Sequence, residues 1–476
     1  MALNLSRNSR VFFTTNVNSY GVVQDTGFTA ANTQEIQVLD GFSFSQNANA
    51  DTVTISEAGN APVRGQRSFN SSLAPVDFSL STYVRPFNAT TSITAEEAVL
   101  WNALLGVNDI STANTLTITG VSGVAYAYLA GAGKLTISGT AMPLTGVVAG
   151  AQVVVGGLVH ATDGTVINSA GTVVGTPSAT SIEIELVNPK AAGAAIAAIT
   201  LATADTVTLY KSAWAPVTST YSVVTAGGSN YNQLQKFGMI FLVDSVTYVI
   251  DNCAMNQAVL DFGLDAIATV AWTGQGTKLT QSSTIDSTDL GSVTTKNTSA
   301  AFITNKLSTV SLALVNALGS TAAGTAYTIA LTGGSITINN NITYVTPANL
   351  GTINMPITYF TGTRAITGTM NAYLKTGTTG QTGNLLSDML AAITTGSPTA
   401  IEPMASLVIN VGGNNGTKVV LDMPSVTVTV PSVDVQAVVS TAINFTAAGS
   451  TPSAIANANT FSLDKTNDIS IRYYSV

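Results

Sequence analysis

Period-two alternation of apolar and hydroxyl-bearing residues constrains this chain more than any other feature. Gly41-Phe42-Ser43-Phe44-Ser45-Gln46, Asp51-Thr52-Val53-Thr54-Ile55 and Val76-Asp77-Phe78-Ser79-Leu80-Ser81-Thr82-Tyr83-Val84 each divide into an apolar face and a polar one. That period belongs to a half-buried β-strand. Residues 56–70 carry Gly, Pro and Asn punctuation and no periodicity, which predicts a long loop. Long loops inside compact domains are usually functional. This one holds Glu57, Arg64 and Arg67 in a chain that uses few charges.

Upstream, Arg10-Val11-Phe12-Phe13-Thr14-Thr15 and Gln34-Glu35-Ile36-Gln37-Val38-Leu39 read as strands. Downstream, residues 94–105 read as a helix. Thr94 suits the N-cap and Glu96 and Glu97 suit the first turn, while Val99, Leu100, Ala103 and Leu104 share a face and Gly106 ends it. From about 108 to 226 the composition shifts to Ala, Gly, Val and Thr. Short strands are expected at 115–119, 124–129, 134–138, 151–155, 182–186 and 206–210, which predicts a small inserted β-domain. The parent domain resumes at 227–280, and residues 281–299 have the composition of a linker.

Beyond that linker the order of elements repeats. Gly334–Asn339 echoes Gly41–Gln46, 365–374 echoes 78–84, and 383–393 echoes the helix. Ser425-Val426-Thr427-Val428-Thr429-Val430 echoes the late strands of the first half. The expected fold is therefore mainly β, with duplicated domains at 1–107 with 227–280 and at 300–476.

With 476 residues, two to four domains are expected. Charged residues make up 9% of the chain, and mean hydropathy is +0.35, which argues against disorder. The formal charge of −8 lacks the basic surplus of a protein that grips nucleic acid. The first residues contain no apolar core of signal-peptide length, and one cysteine excludes an intrachain disulfide, so folding in a cytoplasm is expected. No stretch has the length and apolarity of a membrane span.

The chemistry-bearing residues point away from catalysis. His160 is the only histidine and Cys253 the only cysteine, so the usual metal spacings and a thiol–imidazole pair are both missing. Glu96 and Glu97 are adjacent and diverge by about 100° on a helix, so they cannot face one another as acid and base. Asp261 and Asp265 flank Gly263 without the further oxygen ligands of a calcium loop. No cofactor is expected.

Several runs carry a resemblance. Glu57-Ala58-Gly59, Arg64-Gly65, Phe69-Asn70-Ser71-Ser72-Leu73 and Phe78-Ser79-Leu80-Ser81-Thr82-Tyr83 are followed by Leu100-Trp101-Asn102-Ala103-Leu104. Val270-Ala271-Trp272-Thr273-Gly274-Gln275-Gly276 and the stretch from Leu331 to Pro347 come later. Together they resemble the tail tube proteins of phage T5 and related phages with long, non-contractile tails, the siphoviruses. The resemblance runs along the whole chain except the insert. It implies two tail-tube β-sandwich or partial-barrel domains, each with a flanking helix, and a virion location after assembly in the host cytoplasm.

The same resemblance implies trimeric, pseudo-hexameric rings that stack into a tube. Tape measure, tail terminator and distal tail proteins would be partners, and DNA would pass through without specific binding. In that family the long loop reaches the neighbouring ring, which makes Glu57, Arg64, Arg67 and Phe69 candidates for contacts between subunits. Ser43, Ser45, Thr337, Thr427 and Thr429 lie on hydroxyl faces and are candidates to line the channel. The insert would decorate the tube's outer surface. The alternative is an adhesin-like β-protein that binds through the insert. A polysaccharide hydrolase ranks below both, because no paired carboxylates fall on facing strands.

Overall fold

The computed structural model describes residues 9–39, 41–55, 65–88, 93–105, 115–129, 132–144, 147, 152–160, 166–186, 199–201, 204–211, 214–216, 234–264, 266–290, 302–314, 326–348, 353–376, 380–394, 404–412, 418–435, 438–447 and 469–474. Within them the chain is mainly β, built from large antiparallel sheets that do not close into a barrel. Sixteen strands of the largest sheet carry the architecture and are numbered here in chain order. The first half supplies β1 (Ser9–Thr14), β2 (Thr33–Ile36), β3 (Ser43–Ile55), β4 (Gly65–Tyr83), β5 (Phe237–Val243), β6 (Val246–Asp261), β7 (Thr269–Gly276) and β8 (Lys278–Ser282). The second supplies β9 (Thr309–Leu314), β10 (Ala326–Thr328), β11 (Leu331–Asn339), β12 (Ala365–Tyr373), β13 (Met404–Val411), β14 (Lys418–Val428), β15 (Ser440–Ala447) and β16 (Ser470–Tyr474). Helix α1 (Ala98–Leu105) follows β4, and α2 (Thr382–Thr394) follows β12.

The pairings repeat strand for strand. In the first half β2–β1–β5–β6–β8 form one layer, and β3–β4–β7–β6 form the other. In the second half β10–β9–β13–β14–β16 and β11–β12–β15–β14 do the same, each strand eight places later in the numbering. One long strand serves both layers of each unit. The first part of β6 pairs with β5 and β8, and its last part pairs with β7. The crossing is marked by a bulge between Met255 and Gln257 and by Asn252 at φ 46°. Alternation therefore fails there, and every residue from Val249 to Met255 is buried. Aromatic rings fill the space between the layers. Phe13 stacks on Phe237 at 4.6 Å, and Trp101 meets Trp272 edge-to-face at 4.6 Å. Burying each such ring contributes roughly 1.5–3 kcal/mol.

A glycine makes room for a large ring in each unit, with the roles exchanged. Phe78 of β4 lies against Gly274 of β7, where an added Cβ would sit 2.3 Å from the ring. In the second unit Gly368 of β12 lies against Phe445 of β15, and the same distance would result. Each site holds one bulky and one bare residue, so packing density is kept while the sequences diverge. That exchange hides the repeat from residue-by-residue comparison.

Three boundaries differ from expectation. The loop expected at 56–70 is strand from Gly65 onward, because β4 continues as a long hairpin with β3 through two bulges. Cross-strand contacts such as Asn49 Nδ2 to Ser72 Oγ, 2.9 Å, hold a polar sequence in this ladder. Residues 56–64 lie outside the described residues. Secondly, the start of the expected linker is anchored at two points, since Ile285 and Leu290 are buried in a cluster with Phe12 and Ile240 while most of residues 281–290 are exposed. Thirdly, Thr94 sits in a short strand, Ile93–Ala95, instead of capping α1. The helix begins where the Glu97 carbonyl accepts the Leu100 and Trp101 N–H groups.

A separate sheet lies between α1 and β5 in the chain. Its eight strands are Thr115–Ile118, Val121–Leu129, Ala132–Gly139, Gln152–His160, Val166–Ser178, Ser181–Leu186, Ile199–Leu201 and Val207–Lys211. They enclose their own apolar cluster, which includes Leu135, Ile137, Val155, Leu158, Ile184 and Val207. Trp214–Pro216, within the 108–226 range expected for the insert, pairs instead with β16 of the large sheet.

Candidate assembly surface

Between the two units, the last part of β6 pairs with β11, Gln257 opposite Asn339, Val259 opposite Thr337 and Asp261 opposite Ser335. This joint fuses one layer of each unit into an eight-stranded array, β3–β4–β7–β6–β11–β12–β15–β14. Register then fixes which side chains share a face. Ser43 stands opposite Ser79, Ser79 opposite Thr273, and Thr273 opposite Gln257. Further along, Thr337 stands opposite Thr367, Thr367 opposite Thr446, and Thr446 opposite Thr427.

Ser43, Ser45, Thr337 and Thr427 therefore lie on a single face, turned away from the buried Phe78, Leu80, Ile336, Ile338, Val426 and Val428. Thr429 is exposed and joins them, with its N–H and hydroxyl both directed at the Asn444 carbonyl. Hydroxyls and amides on this face bond to one another. Ser43 Oγ lies 2.8 Å from Ser79 Oγ, Gln275 Nε2 donates to Asp77 Oδ1 at 2.8 Å, and Thr369 Oγ1 donates to Asn444 Oδ1 at 2.7 Å. Strand residues 76–83, 257–261, 269–276, 331–339, 365–373 and 440–447 include no Lys or Arg. Their only charges are Asp77 and Asp261.

Among the described residues the array ends at β3 on one side and at Ser432–Asp434 on the other, and these two edges correspond to the two sides of the internal joint. β3 is bonded on one side, to β4. At the far end, Ser432–Asp434 continues the line of β14 along β15 and is exposed. Across the internal joint runs the row Tyr83–Thr269–Asp261–Ser335. The second unit has the row Tyr373–Ser440–Asp434, which stops where the counterpart of Ser335 would stand. That counterpart is Ser43, since Ser43 faces Ser79 as Ser335 faces Thr369.

Of the residues expected at contacts between subunits, Arg67 and Phe69 are exposed on the β3–β4 hairpin, opposite Val53 and Asp51. Glu57 and Arg64 lie outside the described residues. Cys253 is fully buried, its thiol pushed up by burial and bonded to the Ile250 carbonyl. Among the described residues no three His, Cys, Asp or Glu side chains gather as metal ligands, and no helix is long and apolar enough to cross a membrane.

Sequence reading missed a buried polar cluster where α1 meets β16. The Tyr473 hydroxyl donates to Glu97 Oε1 at 2.6 Å and accepts from Trp101 Nε1 at 2.5 Å. Burial pushes the Glu97 carboxyl up to about 7, against the opposing effect of the Tyr473 hydrogen bond. Beside it, Arg85 Nη1 pairs with Glu96 at 2.8 Å, both side chains being buried, and burial raises Glu96 despite that partner. Asn340 adds a second tie between the units, as its Nδ2 donates to the Leu104 carbonyl at the end of α1, 2.7 Å away. Nothing in local sequence brings Glu97 to a tyrosine 376 residues away.

Two like units are thus fused edge to edge, and the strands at either end of the array match the two sides of the joint in register. Over 353 residues the chain is 26% identical to the tail tube protein pb6 of Escherichia phage T5. The chain is a distant relative of a tail tube protein. The match takes in 73% of this chain and 52% of the phage protein, so the chain spans about half the length of that curated relative. No family model matches the chain.

Proposed function

We propose that the chain is a structural subunit of a phage tail tube, without catalytic activity, which assembles as rings of three chains stacked into a tube. The internal β6–β11 joint is the observation that carries this reading. It supplies a worked example of how one unit meets the next. Repeating it between chains would pair the Ser432–Asp434 edge of one copy with β3 of another, adding a strand to an open sheet. A head-to-tail contact of this kind closes into a ring if the rotation allows it. Three chains of two units each then give six similar joints, and closure pairs both edges of the eight-stranded array.

In such a ring the polar array would form the inner wall. Its hydroxyls and amides hold water, and its carboxylates repel phosphate, so DNA passes without being gripped. The 115–211 sheet, with its own core, would sit outside the wall. Tape measure, terminator and distal tail proteins would be the other partners, in a virion assembled in the host cytoplasm. Adhesion through the insert would leave the two matching edges without a role.

Native mass spectrometry and negative-stain microscopy of the purified protein test the reading. Trimers and tubes of stacked rings are expected. Six chains per ring, or a monomer that never assembles, would overturn it.

A further inference from the structure

The eight strands of the polar array share two ends, and both present apolar side chains to solvent. At the end marked by Tyr83, Asp261 and Asp434, Leu264 is 51% exposed and Leu307 is 64% exposed. The segment that carries Leu307 is tied down. Asn305 N–H donates to the Ala266 carbonyl at 2.9 Å, and Asn305 Nδ2 donates to the Gly263 carbonyl at 3.0 Å.

At the opposite end an arm leaves β11 and returns to β12 through the paired strands Ile342–Val345 and Thr358–Thr361. Buried tyrosines anchor it. The Tyr344 hydroxyl donates to the Asn252 carbonyl at 2.7 Å, and the Tyr359 hydroxyl donates to the Leu234 carbonyl at 2.9 Å. Leu73 N–H donates to the Asn354 carbonyl at 2.8 Å, which fixes the arm to the β3–β4 hairpin. On this frame Ile353, Met355, Ile357 and Phe360 face outward, Ile357 at 60% exposure.

Resting on the stacked-ring reading, we propose that these two ends are the halves of one axial joint, in which the arm of one chain docks on the Leu264–Leu307 surface of a second copy. Ring closure uses the strand edges and leaves both strand ends uncovered. An unrelated partner would have to mask two separate surfaces, whereas a second copy covers both with a single head-to-tail contact. Charge agrees with this pairing. Arg67 is exposed with Asp51 on the hairpin at the arm end, and Asp261 and Asp434 are exposed with Lys306 at the other, so the acidic surplus lies at the end that the arm would meet. Stacking therefore rests on the second unit's arm as well as the first unit's hairpin.

The test uses the full chain. One variant carries Ile357→Asp with Phe360→Asp, a second carries Leu264→Asp with Leu307→Asp, and circular dichroism checks folding. Each is expected to form rings, with tubes shortened roughly tenfold or more. Rings of the two variants, mixed after formation, should give pairs of rings and no tubes, since one intact end of each can meet. If an aspartate variant misfolds, serine at the same positions gives the same reading with less disturbance. Tubes of wild-type length from folded variants overturn the joint and leave the tube reading standing. Wild-type protein that forms neither rings nor tubes overturns both.

Discussion

Replacing Glu97 by glutamine should remove a pH-dependent cost that the native fold carries. The carboxyl is buried at the meeting of α1 and β16, and burial holds it at about 7 against an ordinary 4.5. Below pH 4.5 it is protonated in the folded and the unfolded chain alike, and no cost arises. As pH rises from there, the unfolded chain releases the proton and the folded chain keeps it. Stability then falls by about 1.4 kcal/mol per pH unit, and the loss is complete above pH 7, where it reaches about 3 kcal/mol. The groups that face the carboxyl are Tyr473 from β16, Glu96 from its own turn and Arg85 from the preceding segment. Glu96 and Asp251 are raised by burial as well and add slope of the same sign, but they are common to both proteins. Denaturant unfolding followed by tryptophan fluorescence reads the site directly, because Trp101 donates to Tyr473. Between about pH 5 and pH 8, wild type should lose about 2.5 kcal/mol more than Glu97→Gln. Parallel pH profiles would refute the argument.

Three further outcomes are expected. Ser43→Cys with Asp434→Cys should give disulfide-linked trimers once rings form, while Asn49→Cys with Asp434→Cys, off register, should not. Equal cross-linking of both pairs would exclude this register. Gly274→Ala and Gly368→Ala should each cost about 1–3 kcal/mol by forcing a methyl against Phe78 or Phe445, and unchanged thermal midpoints would show that the rings have room to move. Replacing residues 112–212 with a short Gly/Ser linker should leave tubes that are thinner outside and unchanged inside. The cut stops before Trp214–Pro216 because that strand pairs with β16, and a loss of rings in microscopy would make the separate sheet part of the assembly contact.

Some of this was legible in the chain and some was not. Alternation in Phe42–Gln46, Val76–Val84 and Ser335–Asn339 fixed strand identity and face, because a strand with one buried side must repeat its apolar residues every second position. Those local patterns placed Ser43, Ser45, Thr337, Thr427 and Thr429 on hydroxyl faces, and the order of elements exposed the repeat. Where burial is two-sided or where a ladder is polar, the period disappears. Val249–Met255 is buried throughout as β6 crosses between layers, and residues 65–73 are held as strand by cross-strand bonds despite a loop-like composition. Val166–Ser178, rich in Gly, Ser and Thr, escaped notice for the same reason. Distance along the chain hid the rest. Glu97 with Tyr473, Asn340 with the end of α1, and β6 with β11 meet only when two units pack, so their energetics depend on register and burial that no local pattern encodes. The sequence by itself determined the strands that bury one side and which side of each is apolar. Tertiary structure decided which strands are neighbours, which edges stay open and which carboxyl loses its water.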